Sequence, residues 1–134
     1  MASQEIINLI TNCIKQDQKI LLFTNSGIIQ DIRTQILSSL SNIPTENLLG
    51  GDITSLDKEI FKVVVNSNIP NNLIIKKLKN KDEADLIEDI DNTRKNHDLT
   101  CVIFEKIGDN SIIVGLTKYG RSNYLPIIIN QKES

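Results

Sequence analysis

The chain has 134 residues, 40% of them hydrophobic, with no Trp and an aromatic share of only 4%, so a core must be built from Ile, Leu and Val. The 15 basic and 17 acidic residues leave a net charge of −2, which excludes a whole-molecule field that would draw in nucleic acid or an anionic membrane. No apolar stretch approaches the roughly eighteen residues of a membrane span, and Met1-Ala2-Ser3-Gln4-Glu5 carries no positive segment ahead of an apolar run; the expectation is a cytoplasmic chain without membrane insertion.

A chain of this length folds as one unit that hides roughly two-thirds of its unfolded surface. From Ser3 to about Gln16, Ile6, Ile7, Ile10, Cys13 and Ile14 fall at helical spacing, with Ser3 as N-cap and Glu5 in the first turn. After Asp17-Gln18, the run Lys19 to Thr24 has the length and apolar character of a buried strand. Asn25-Ser26-Gly27 admits two continuations: a hairpin turn into a strand over 28–32, or a loop opening a helix from Ile28 to Leu40. The recurrence of Ile28, Ile32, Ile36 and Leu40 favours the helix, and Pro44 would stop it.

Pro44 to Asp52 reads as a loop ending in Gly50-Gly51, Thr54 and Asp57 resemble a capping box, and a strand is expected from Phe61. Asn66 to Asn72 is a turn cluster, and Leu73 to Leu78 reads as a strand. Asn80 as N-cap, with Glu83 in the capping-box position, opens a polar helix from 81 to about 96 whose apolar stripe is Leu86, Ile87 and Ile90.

Thr100 to Ile107, Ser111 to Lys118 and Tyr124 to Asn130 are β-rich runs separated by Gly108-Asp109-Asn110 and by 119–123. Such short connections make neighbouring strands antiparallel, which gives a C-terminal three-stranded β-meander. Apolar stretches such as Ile112-Ile113-Val114 and Ile127-Ile128-Ile129 imply strands buried on both faces or an interface on one. The expected fold class is therefore α+β: a single domain over 1–134 with a mixed, largely antiparallel sheet covered by two or three helices.

Residues able to do chemistry are sparse. Cys13, His97 and Cys101 are one ligand short of a usual structural zinc set, and two cysteines make no disulfide framework; neither a metal nor a cofactor is expected. His97, Asp98 and Cys101 lie close in sequence, but a strand cysteine beside a solvated helix-end histidine is a poor nucleophile and base, and no catalytic residue is assigned. The acidic set from Asp82 to Asp91 lacks the Gly and terminal Glu of a calcium loop and reads as a solvated helix face. Asn25-Ser26-Gly27 lacks the Gly-Lys-Ser/Thr of a phosphate loop and reads as an ordinary turn.

Two groups remain as binding candidates. Lys76, Lys77, Lys79 and Lys81 form a basic cluster in which strand spacing puts Lys77, Lys79 and Lys81 on one face; it either meets phosphate or guards an edge strand. Lys118, Tyr119, Arg121 and Tyr124 bring two cations and two aromatics into the predicted turn between the last two strands, a set able to anchor a protein partner, clamp a carboxylate or stack on a base. The leading reading is a non-enzymatic protein-binding or regulatory module, with a second copy docking at Ile127 to Ile129 as one form of partner. The alternatives are a small enzyme or anion- or nucleotide-binding protein using Lys118 and Arg121, and nucleic-acid binding through Lys76 to Lys81, which the net charge disfavours.

Overall fold

An apolar run without alternation must be covered on both sides, and the two central strands of this chain meet that requirement from opposite helical layers. The structure, a computed structural model, describes residues 4–25, 29–43 and 72–130. Its elements in chain order are helix α1 (Gln4–Lys15), strand β1 (Ile20–Thr24), helix α2 (Ile29–Ser41), strand β2 (Leu73–Lys77), helix α3 (Glu83–Arg94), strand β3 (Cys101–Glu105), helix α4 (Asn110–Ser122) and strand β4 (Ile127–Asn130).

The strands form one four-stranded sheet in the order β2-β1-β3-β4, and every pairing is parallel. Leu22 stands beside Ile75 on one side and Ile103 on the other, and Ile103 stands beside Ile128. The chain is therefore α/β, and the expectation of an α+β fold with a largely antiparallel sheet and a terminal meander is overturned.

The error lies in Ser111 to Lys118, which forms the body of α4 and not a strand. Asp109 caps this helix, its carboxylate accepting from the Ser111 backbone at 2.9 Å and the Ser111 hydroxyl at 2.8 Å. Leu116 is buried, and Ile112 and Tyr119 pack into the same core; four- and three-residue spacings place all three on one helical face. Val114 falls off that stripe and is 53% exposed. A cap and a sheet-facing stripe thus outweigh the β propensity of Ile-Ile-Val. With a helix between them, β3 and β4 are joined by a crossover, the connection that parallel neighbours require.

Alternate strand residues feed two cores. Ile20, Leu22, Ile75 and Ile103 face Ile6, Ile10, Ile32 and Ile36 of α1 and α2, while Leu21, Phe23, Val102 and Phe104 face Leu86, Ile90 and Leu116 of α3 and α4. Every residue of β1 and β3 is buried. On the second face Phe23 and Phe104 stack across the strand pair, with ring centroids 5.0 Å apart and planes 3° from parallel.

The helical alternative for 28–40 holds, as α2. Helix α3 begins later than its sequence implied: Asp82, not Asn80, is the cap, and Asp82 and Asp85 exchange the two bonds of a capping box. Asn80 instead takes a left-handed turn with φ 66°, a conformation Asn tolerates. The readings placed on Ser3, on 44–65 and on the turn cluster before Asn72 lie outside the described residues.

Candidate functional site

In an open parallel sheet the connections of two neighbouring strands can leave toward opposite faces, and a crevice then opens beyond their carboxyl ends. Here that point falls between β1 and β3, because α2 follows β1 on one face and α4 follows β3 on the other. Thr24 and Glu105, the last residues of the two strands, stand side by side. They are 2% and 0% exposed, and the Thr24 hydroxyl donates to Glu105 Oε1 at 2.9 Å.

Beyond this pair, Asn25 Nδ2 donates to the Lys106 carbonyl at 3.0 Å. The Lys106 amide donates to the Asn130 carbonyl at 2.7 Å, and the Leu78 amide to the Thr24 carbonyl at 3.0 Å. These bonds tie the tips of all four strands into one edge. Lys106 (φ 62°) and Gly108 (φ 78°) take left-handed backbone on the way to the Asp109 cap, at about 1–2 kcal/mol for the lysine. A cleft of about 170 Å³ opens at the edge, lined by Thr24, Asn25, Lys77 and Lys79.

The basic cluster divides in two. Lys76 and Lys81 both meet Asp89 of α3, at 4.0 Å and 2.6 Å, and the Lys81 ammonium also lies 5.5 Å from the centre of the Phe23 ring. Lys77 and Lys79 are exposed and line the cleft. Strand spacing fails to put Lys77, Lys79 and Lys81 on one face because β2 ends at Lys77 and Asn80 turns the chain.

The second candidate group sits at the opposite end of the sheet. Helix α4 starts at the carboxyl edge and returns to the start of β4, so Lys118 to Tyr124 are separated from Lys77 and Lys79 by a strand length, roughly 16 Å for five residues. The Tyr119 hydroxyl donates to Asp91 of α3. Burial first, then this bond, hold its phenol above the usual pKa, and Arg94 opposes them. Tyr119 is thus a tie between α3 and α4. Lys118 and Arg121 are exposed on α4.

Arg121 and Tyr124 line a groove of about 500 Å³ together with Thr117, Gly120, Leu125, Pro126 and Ile127. Tyr124 is 96% exposed and has φ 53°, a backbone region that bulky residues avoid. The junction holding it is fixed by the Leu125 amide, which donates to the Gly120 carbonyl at 2.9 Å. Of the four residues that the sequence grouped, the fold brings Arg121 and Tyr124 to one groove and turns Tyr119 into helix packing.

Cys101 lies buried at the start of β3, where burial and the neighbouring Cys13 thiol push its pKa up to about 11. That environment keeps it a thiol at neutral pH and unsuited to nucleophilic attack. Among the described residues no group of three or more His, Cys, Asp or Glu side chains could hold a metal ion, and no helix is long and apolar enough to cross a membrane.

Thr24, Glu105 and Lys106 escaped sequence reasoning as site residues, and Asn25 was weighed only within a step that reads as an ordinary turn. The signal present was the acid that closes an otherwise apolar run, Cys101-Val102-Ile103-Phe104-Glu105, and it gains meaning only once the strands are parallel. No protein-family model and no curated protein matches the sequence. Among solved structures, the fold is similar to a chain in the structure of a DnaB-like replicative helicase and its interactions with primase, with a TM-score of 0.74 and 14% identity. The likeness covers 93% of this chain and 34% of that one, so the chain spans about a third of the helicase chain, and at this identity the likeness shows the fold alone.

Proposed function

We propose that the chain is a non-enzymatic binding module that carries a helicase-like α/β fold and holds a protein partner in the Arg121–Tyr124 groove. The observation that carries this reading is the groove itself, in which the apolar Leu125, Pro126 and Ile127 line the wall together with a guanidinium and a 96% exposed aromatic. Tyr and Arg are the side chains most often found as binding anchors. The non-enzymatic part is supported at the other edge, where Thr24 and Glu105 bond to each other and the chain after β1 reads Asn25-Ser26-Gly27 without the lysine of a phosphate loop.

The DnaB-like helicase with a similar fold is described with its primase interactions, so the primase and the replicative helicase of the same cell are the first partners to test. Titration calorimetry of each purified partner against the chain and its Arg121→Ala and Tyr124→Ala variants is the experiment. The expected result is binding that weakens at least tenfold in each variant, or about 1.4 kcal/mol, with the far-UV circular dichroism unchanged. Equal affinity in all three proteins would remove the groove from the reading, and no binding to either protein would remove this class of partner.

A further inference from the structure

The carboxyl-edge cleft holds a second, separate opportunity. Four lysines stand in a six-residue stretch, Lys76 to Lys81, yet one carboxylate, Asp89, takes two of them. The two it leaves, Lys77 and Lys79, make no ion pair with another described residue and converge on the cleft with Thr24 and Asn25. The nearest acid from β3, Glu105, is 0% exposed and its Oε1 accepts from the Thr24 hydroxyl. The cleft wall therefore presents two cations beside Thr24 and Asn25, and Glu105 is not among its lining residues.

From this arrangement we infer that the cleft lined by Thr24, Asn25, Lys77 and Lys79 is a binding site for a single phosphate group. Size selects the class. Pockets that enclose drug-sized ligands measure roughly 300–1,000 Å³, and the cleft, at about 170 Å³, is of a size to seat one phosphate group. Two lysine ammonium groups match the charge of a phosphate dianion and bind it as point charges. The site lies beyond the carboxyl ends of β1 and β2, one strand away from the β1–β3 switch but on the same edge of the sheet, the edge at which parallel α/β sheets receive ligands, and it is independent of the Arg121–Tyr124 groove.

The test is a titration of the full chain with sodium phosphate at constant ionic strength, followed by amide chemical shifts, with sodium chloride as the control salt. The expected result is saturable shifts at Thr24, Asn25, Lys77 and Lys79 in the millimolar range, weakened about tenfold by Lys77→Gln and by Lys79→Gln. Asp89→Asn is expected to leave the affinity within about twofold; tightening there equal to the loss in the lysine variants would mean a diffuse basic surface and overturn the site. Glycerol phosphate in a parallel arm shows whether free or esterified phosphate is preferred, and either preference supports the site. Shifts that fail to saturate overturn the inference. So does a single-stranded oligonucleotide that saturates the same amides at lower concentration than phosphate, because the ligand is then a nucleic-acid backbone.

Discussion

Two glycines on α4 predict opposite outcomes for the same substitution. Replacing an interior helical glycine by alanine removes backbone entropy from the unfolded chain and is worth about 1 kcal/mol. At Gly115 the new methyl would run into the Glu83 carboxylate, whose oxygens and carboxyl carbon all stand inside contact distance, so the side chain must move. That is the far end of a flexible side chain, and it can swing into solvent. Gly115→Ala is therefore expected to stabilise the fold by about 0.5–1 kcal/mol. At Gly120 the methyl would meet the Ile127 side chain and lie 2.7 Å from the Leu125 carbonyl oxygen. The carbonyl cannot rotate away freely, because the backbone is held on both sides of it, by the Leu125 amide bonded to the Gly120 carbonyl and by the Pro126 carbonyl bonded to the Val102 amide. Relief requires α4 to shift off β4, an overpacking cost of roughly 1–3 kcal/mol that outweighs the propensity gain at the larger end of that range. Thermal and urea unfolding followed by circular dichroism should show Gly120→Ala less stable by about 1–2 kcal/mol, a drop of roughly 3–8 °C for a chain of this size. Gly115→Ala should move the midpoint up. Equal effects of the two substitutions, or a Gly120→Ala protein as stable as the parent, would refute the close packing of α4 on β4.

Thr24→Val keeps the shape of a buried side chain and removes one donor to Glu105; unfolding in urea should reveal a loss of about 1–3 kcal/mol. A double-mutant cycle with Glu105→Leu should return a coupling near 1 kcal/mol, and a coupling of zero would mean the pair is not bonded. Burial raises the Cys101 thiol from its ordinary pKa of 9.0 to about 11, so its contribution is complete below pH 9 and is lost as the pH rises from 9 toward 11, up to a ceiling of roughly 2–3 kcal/mol. The stability difference between the parent and Cys101→Ala should therefore narrow over that window, and a constant difference would contradict a buried thiol.

Helices α1, α2 and α3 were legible because their apolar residues repeat at helical spacing on one face and polar residues fill the rest. The buried runs of β1 and β3 were legible as strands for the complementary reason, the lack of any alternation. What the sequence hid was α4, where Ile112, Ile113 and Val114 stand together and only the Asp109 cap and the spacing of Ile112, Leu116 and Tyr119 distinguish helix from strand. That misreading reversed β4 against β3, since a helix in place of a strand changes a hairpin into a crossover and antiparallel into parallel. The carboxyl-edge site was hidden because Thr24, Lys77 and Glu105 are far apart in sequence and meet only where the parallel strands β1, β2 and β3 end at one edge. The lysine cluster was visible, but its division by Asp89 depends on how α3 packs beside β2.

The chain has two tyrosines and no tryptophan, and the fold puts those tyrosines in contrasting surroundings. The Tyr119 phenol donates to the Asp91 carboxylate, a contact that quenches ring emission, whereas Tyr124 stands almost wholly in water at the groove rim. Ultraviolet emission from the unmodified protein is consequently governed by the residue that a docked partner would cover. Occupancy of the groove by a ligand without tyrosine or tryptophan can be read without a label, and a Tyr124→Phe protein provides the dark reference.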